Sequence, residues 1–445
     1  MMTKFGLSAL VAAGMLVSGL SAGSASAADL GGNCCADLEE RIAELEATTA
    51  RKGNRKVSLT ISGWVAEQVM WWDDGVESNV YVQGIGTTLA SHFKMTGSAQ
   101  ITAGWSAGYV IHVEVYGSEN LILTDQDSPV GASLYGGAGN FSGINTLQSY
   151  WFIKSDHLGK IGVGLQSMAS DNTAILPDGS GSLVPANFVF FDYGGFFLRG
   201  SQTTTFGPIW AAVTGCTDCN GLPLNAVRYD SPTWAGFSVS SSWGSDDIWD
   251  VAARYAGEHH GFKMSVAAAY SETSSAPIFD PRNAQAPDTK FFQIGAYVQH
   301  IHSGLWLYGA YTDIESDDQF VNGDAGFVNN DSWYIKAGLR RRWHPLGHTV
   351  LYGEYQHWNQ DALRAYGING GGGGGNTCSA FFAECVAETD MWGLGVVQEI
   401  DAAAMSMWLT YRNIEADVSD VRGGSTGSVP TEDFQYGKFG ALINF

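Results

Sequence analysis

From Val57 to the end of the chain, hydrophobic and polar residues alternate with a period of two, interrupted at intervals by turn residues. In the first such segment Val57, Leu59, Ile61 and Val65 fall on one face and Ser58, Thr60, Ser62 and Gln68 on the other. The pattern returns with Ile111, Val113 and Val115 against His112, Glu114 and Tyr116, and with Phe262, Met264, Val266 and Ala268 against Lys263 and Ser265. It returns again with Met405, Met407, Leu409 and Tyr411 against Ser406, Thr410 and Arg412. A β-strand points successive side chains to opposite faces, so each segment predicts a strand that is greasy on one side and wet on the other. About sixteen segments of this kind predict an all-β chain folded as a transmembrane antiparallel β-barrel, since such barrels carry an even number of strands. The last segment, Phe434 to Phe445, sets Phe439, Ala441, Ile443 and Phe445 on one face and is expected to close against the first.

The connections alternate in length. Gly159, Ala235-Gly236, His260-Gly261 and Ser303-Gly304 mark tight turns, whereas 118–146, 167–224, 272–288, 316–330, 361–387 and 417–433 are long. Short turns therefore gather at one face of the membrane and long loops at the other. The longest connection, 167–224, exceeds an ordinary hairpin loop and is expected to fold into the lumen.

Residues 1–27 break the alternation with a basic start at Lys4, an apolar run from Leu7 to Leu20 and the pattern Ala25-Ser26-Ala27, which reads as a secretory signal peptide. Residues 28–56 contain one helical stretch, with Leu38, Ile42, Leu45 and Thr49 at steps of four and three and Asp37 four before Arg41. In a trimer it could form a short periplasmic coiled coil; alone it would be a frayed amphipathic segment, because two heptads are too short for a stable helix. The division expected is therefore signal 1–27, periplasmic helical segment 28–56 and barrel 57–445. Charged residues are only 15% of the chain and glycines number 57, a profile that suits a barrel better than a soluble α/β enzyme. The net charge of −22 argues against nucleic acid and makes cations the expected company.

Six cysteines fall in pairs, Cys34/Cys35, Cys216/Cys219 and Cys378/Cys385. In an oxidising compartment the last two pairs read as local disulfides that staple loops; redox or zinc chemistry would need a βαβ context or a second ligand pair. The vicinal pair has no assigned role.

Within 167–224 the charged residues are Asp171, Asp178, Asp192 and Asp218 against Arg199. Carboxylates at the narrowest section would attract cations, while each could equally cap a turn or face bulk water. The alternation points Lys94, Lys154, Lys263, Lys336, Arg254, Arg340, Arg342 and Arg412 inward as a basic wall, with His92 a neutral lumen residue. Arg340 and Arg342 also suit a periplasmic rim. Phe188, Phe190, Phe191, Tyr193, Phe196 and Phe197 could either pack the loop against the wall or stack sugar rings. No metal-loop spacing is complete, and Gly423 to Gly427 matches nucleophile-elbow spacing without the strand and helix that chemistry needs. Neither a metal, a cofactor nor an enzymatic activity is expected.

The stretch from Asp29-Leu-Gly-Gly-Asn-Cys-Cys through Arg51-Lys-Gly-Asn-Arg-Lys-Val-Ser-Leu resembles the start of mature alphaproteobacterial porins. So do Gly104-Trp-Ser-Ala-Gly-Tyr, Ser149-Tyr-Trp, Leu158-Gly-Lys, Arg228-Tyr-Asp-Ser-Pro, Trp249-Asp-Val-Ala-Ala-Arg-Tyr-Ala-Gly-Glu and the closing Phe445. The resemblance implies a sixteen-stranded homotrimer in the bacterial outer membrane whose third extracellular loop bends inward and narrows a pore for passive diffusion of small hydrophilic solutes and ions. It implies Phe445 as the signal read by the barrel assembly machinery, and lipid and lipopolysaccharide as surroundings. A substrate-specific channel, for sugars as an example, is the alternative. Many general porins carry an arginine where this chain has His92 and another near Leu147, and the enterobacterial Pro-Glu-Phe-Gly-Gly-Asp constriction motif is missing.

Overall fold

The computed structural model describes residues 57–86, 89–116, 124–126, 143–189, 191–201, 206–215, 217–218, 220–273, 288–321, 324–360, 385–420 and 427–445. The expected signal peptide and helix, Cys34, Cys35, Cys216, Cys219 and Cys378 lie outside the described residues, and of Cys385 only the backbone is described.

Sixteen strands form one closed ring. In order around it they are β1 (Thr60–Asp73), β3 (His92–Thr102), β4 (Trp105–Tyr116), β5 (Gly143–Ser155), β6 (Gly159–Gln166), β9 (Leu224–Asp230), β10 (Phe237–Gly244) and β11 (Trp249–His259). They continue with β12 (Phe262–Thr273), β13 (Thr289–His300), β14 (Leu305–Val321), β15 (Asp324–His344), β16 (Gly347–Gln360), β17 (Cys385–Ile400), β18 (Met405–Asp420) and β20 (Phe434–Asn444). Every neighbouring pair is antiparallel, and β20 closes on β1 through a register running from Trp64 opposite Asn444 to Asp73 opposite Gln435. Phe445 extends the seam by exchanging two backbone hydrogen bonds with Gly63. Four short strands lie outside the ring order: β2 (Ser78–Gln83), β7 (Phe197–Arg199), β8 (Phe206–Ile209) and β19 (Gly427–Val429).

The seam shows why this sequence makes a barrel. Along β1, Trp64, Ala66, Gln68, Met70 and Trp72 point inward and are buried, while Ile61, Val65, Val69 and Trp71 point outward and are exposed. A ring of such strands leaves no open edge and exposes a continuous apolar outer band. Rings bound that band at both ends: Trp105, Trp234, Phe237, Phe262 and Trp343 toward the short turns, and Trp71, Trp243, Trp249, Trp333 and Trp392 toward the long loops. The tight turns follow their residues: His260 and Gly261 both have positive φ, +50° and +81°, as a two-residue hairpin matching the strand twist requires. Among the described residues no helix is long and apolar enough to cross a membrane.

The wall is uneven in height, from 7 residues in β9 to 21 in β15. Two features differ from the sequence expectation. The loop expected over 316–330 is instead a continuation of the β14–β15 hairpin, and β2 pairs with the upper half of β1, with Ile85 and Ala90 buried before the chain resumes as β3. The core sits inside the barrel, between the inner wall and residues 167–215.

Candidate functional site

After β6 the chain enters the lumen and follows the inner wall, held strand by strand. At its start, Arg228 of β9 donates to the carbonyls of Ser167 and Met168 (3.0 and 2.9 Å), and Arg254 of β11 donates to that of Ala169 (2.5 Å). Ser170 donates through its amide and hydroxyl to Asp250 (2.7 and 2.6 Å). Ala174 is held by Gln293 of β13, which accepts its amide proton, and by Tyr308 of β14, which donates to its carbonyl, both at 2.7 Å. The Lys336 ammonium of β15 meets Asp178 at 2.6 Å and the Ala186 carbonyl at 2.5 Å. Arg412 of β18 makes 2.8 Å contacts with Glu354 and with the Asn187 carbonyl, and Lys438 of β20 pairs with Asp192. Arg199 ends the circuit on Asp74 (2.7 Å) at the turn before β2. These strands thus contribute inward polar groups where the passing loop offers a complement, which offsets the cost of burying either alone.

Aromatic packing fills the space between these anchors. Phe196 lies 5.4 Å from Trp72 and 4.8 Å from Phe434, and Phe188 lies 5.9 Å from Tyr334, ring centroid to centroid. Phe188, Tyr193, Phe196 and Phe197 are all buried, so these rings pack the loop against the wall.

Because the loop follows the wall from β11 round to β1, open space remains along β1 to β6. Toward the short turns lies a cavity of about 1770 Å³. Adjoining it is a small space of about 40 Å³ between Trp64, His112, Leu147 and Gln148 of the wall and a loop face that mixes Ile175, Leu176, Leu183 and Val184 with Asp171, Asn172 and Asn187. Asp171 borders both spaces.

The expected site residues separate into two groups. Lys94, Lys154, Arg254, Arg340 and Arg342 line the large cavity, with Arg340 held bidentate by Glu399 and Arg342 paired with Asp401 at the rim. His92 also lines it, held between Trp64, which it meets edge-on, and His112, whose plane is tilted to its own. Lys336 and Arg412 point inward but are sealed beneath the loop, 0% and 1% exposed, where they fasten it. Asp178, which borders the cavity, and Asp192 have their charge matched by Lys336 and Lys438, and Asp218 is buried against the Ile175 amide. Of the four loop acids, Asp178 and Asp192 thus meet their cations directly beneath the loop rather than across water. Asp171 differs, being 5% exposed with one carboxylate oxygen lacking a hydrogen-bond partner. Burial pushes its carboxyl up to about 7, with Arg228 partly opposing the shift. Trp64, His112, Arg228, Asp250, Gln293, Glu354 and Lys438 went unsingled by sequence reasoning, although inward parity marks most of them.

A model of the Gram-negative porin family matches residues 7–398. The chain is a Gram-negative porin. Comparison with curated protein sequences gives no significant match. Among solved structures this porin is similar to OprB of Pseudomonas putida, at 12% identity and a TM-score of 0.56 over 92% of this chain and 97% of that one. It is also similar to OmpT of Vibrio cholerae, at 11% identity and a TM-score of 0.51 over 88% and 99%. At such identities the likeness establishes the fold. The porin is an outer-membrane channel for passive diffusion, with its short turns in the periplasm and its long loops outside.

Proposed function

We propose that this porin is a general diffusion channel of the alphaproteobacterial type, exported by the signal peptide of residues 1–27 and working as a homotrimer. Residues 167–224 act as its constriction loop, and the passage runs between that loop and the wall of β1 to β5. The observation that carries this reading is that the 1770 Å³ cavity and the 40 Å³ space adjoin, sharing Trp64 and Gln148 of the wall and Asp171, Leu176, Leu183 and Val184 of the loop. A trimer is supported by β6 and β9, whose 8 and 7 residues fall short of the roughly 9–11 that a spanning strand needs. A neighbouring subunit over that low wall would hide the mismatch from lipid. The barrel assembly machinery would read Phe445 at the seam, and lipopolysaccharide would surround the outer rim. The sugar-specific alternative loses much of its stacking surface, since Phe188, Tyr193, Phe196 and Phe197 are buried in packing.

The cation preference rests on Asp171. Basic side chains lining the large cavity outnumber acidic ones by seven to six, so the neutral form of Asp171 leaves a basic interior. Ionised, it puts a negative charge at the narrow section. One charge about 5 Å from a hydrated ion in water is worth roughly 0.8 kcal/mol, about fourfold in occupancy. Bilayer recordings in a salt gradient should therefore show a cation-to-anion permeability ratio about fourfold higher at pH 8 than at pH 6, and Asp171→Asn should hold the pH 6 value at both. Anion selectivity at pH 8, or an unchanged pH response in the variant, would remove this assignment. The same burial makes ionisation costly to loop docking, a penalty absent below about pH 4 that grows until about pH 7.

A further inference from the structure

Two neighbouring short turns carry four of the ten histidines of the chain. His259 and His260 stand at the β11–β12 turn, His300 and His302 at the β13–β14 turn, and the Ile301 amide joins the two turns by donating to the Gly261 carbonyl at 2.9 Å. None of the four lines the large cavity or the small space beside it, so diffusion through the barrel gives no account of them.

The β13–β14 turn arranges its pair for ligation. His300 is half-buried, its ring centre 5.0 Å from that of Phe262, and the exposed His302 ring lies 6.4 Å from it with planes 63° apart. Ser303 Oγ accepts the Leu305 amide at 3.2 Å and sits 2.8 Å from His300 Nδ1, so the turn itself places the hydroxyl. An Nδ1–H donated to that oxygen leaves the lone pair on Nε2, the arrangement in which histidine holds a metal ion. Two imidazoles on one ion have ring centres about 5 Å apart, given metal–nitrogen bonds of roughly 2.0–2.1 Å at a tetrahedral angle. The exposed His302 ring, which reorients in picoseconds to nanoseconds, closes the difference. His259 stands outside the pair, because its Nε2 is bonded to Tyr255.

We infer that the β13–β14 turn is a binding site for a first-row transition metal ion, with His300 Nε2 and His302 as its ligands and Ser303 orienting His300. Imidazole suits copper, nickel and zinc, whereas magnesium and calcium take oxygen ligands. Among the described residues no group of three His, Cys, Asp or Glu gathers for a metal, so water completes the coordination and the ion stays exchangeable. With the short turns in the periplasm, the ion is held at the periplasmic rim, outside the pore.

The test is a Cu²⁺ titration of the purified porin in detergent, followed by electron paramagnetic resonance. The expected result is copper bound through two ring nitrogens, seen as their hyperfine splittings, and not displaced by Ca²⁺ at the same concentration. His300→Gln and His302→Gln should each weaken binding about a hundredfold, the gain that joining two ligands on one short segment provides. Ser303→Ala, which keeps both rings but releases the first, should weaken it about tenfold. His259→Gln is the control and should bind copper as the unaltered porin does. Copper held with unchanged affinity by both His300→Gln and His302→Gln, or a spectrum without two nitrogen ligands, would overturn the inference. Conductance of every variant should match that of the unaltered porin, so failure of this inference leaves the diffusion reading untouched.

Discussion

Replacing Lys336 with methionine is expected to unfasten the constriction loop, giving a porin that melts earlier and conducts with bursts of noise. The ammonium is completely buried, 2.6 Å from Asp178, and lies between 5.6 and 5.9 Å from the ring centres of Trp306, Tyr308 and Tyr352. Methionine fills much of the same volume but leaves the Asp178 carboxylate without its partner in a dry site. Breaking a buried pair from one side costs about 3–5 kcal/mol, more than the local contacts of one loop segment can absorb. The segment from Asp178 to Ala186, which loses two anchors at once, then moves into the water of the cavity. The double change Lys336→Met with Asp178→Leu removes both charges and is expected to recover most of the stability, because apolar replacement of a whole buried pair is nearly neutral. Thermal midpoints in detergent and single-channel traces of the two variants decide the matter. A single variant as stable and quiet as the unaltered porin would show that the pair does not hold the loop.

The strands were legible in the sequence because the two sides of a barrel wall meet different solvents. Lipid outside and polar or packed groups inside impose a parity that a lone sequence displays, as β12 and β18 show. Short-turn ends were legible as well, since His260-Gly261 and Ala235-Gly236 must adopt positive φ. Long-loop ends were not. Above the membrane the outward positions of the β14–β15 hairpin become Asp313, Glu315 and Asp331, so the hydrophobic signal stops while the hydrogen-bonded ladder continues to Val321 and Asp324. At the site, parity could say that Lys336 and Arg412 point inward, but not that the loop would cover them. Inward and wet are the same thing only in an empty barrel.

Net charge misleads in the same way. The excess of 22 negative charges suggests a cation-loving pore, yet Asp313, Glu315, Asp331, Asp390 and Glu415 sit on the outer face toward the long loops. There Asp390 accepts from Tyr355 and faces His357 at 2.8 Å, opposite Glu415 across the strand pair. Inside, Asp178, Asp192, Glu354 and Asp74 each meet a cation. What an ion encounters at the narrow section is therefore set by the few groups left bordering it, and the sum over the chain says little about them.

Alanine at Gly295 is expected to narrow the channel and lower its conductance. Gly295 faces inward on β13, where a β-carbon would stand 1.9 Å from the carbonyl oxygen of Ala174 and 2.8 Å from its carbonyl carbon. Both are backbone atoms, so no side chain can turn aside to make room; the loop must retreat by roughly 1.5 Å to restore a normal contact. That same carbonyl accepts from Tyr308, and the Ala174 amide donates to Gln293, so the retreat breaks two buried hydrogen bonds. The cost is about 2–4 kcal/mol at roughly 1–2 kcal/mol for each bond. Away from β13 the only free direction is toward the opening, and the residues carried with Ala174 are Ile175 and Leu176, which already form one side of it. Conductance should fall even though the loop is bound less tightly, the opposite sign to a loop that swings free. Gly309→Ala on the adjacent β14 is the control. Its β-carbon would find its nearest neighbour, the Tyr334 carbonyl oxygen, at an ordinary 3.5 Å, and conductance should not change. Equal conductance in the Gly295→Ala and Gly309→Ala porins would mean that the path does not run along this stretch of the loop.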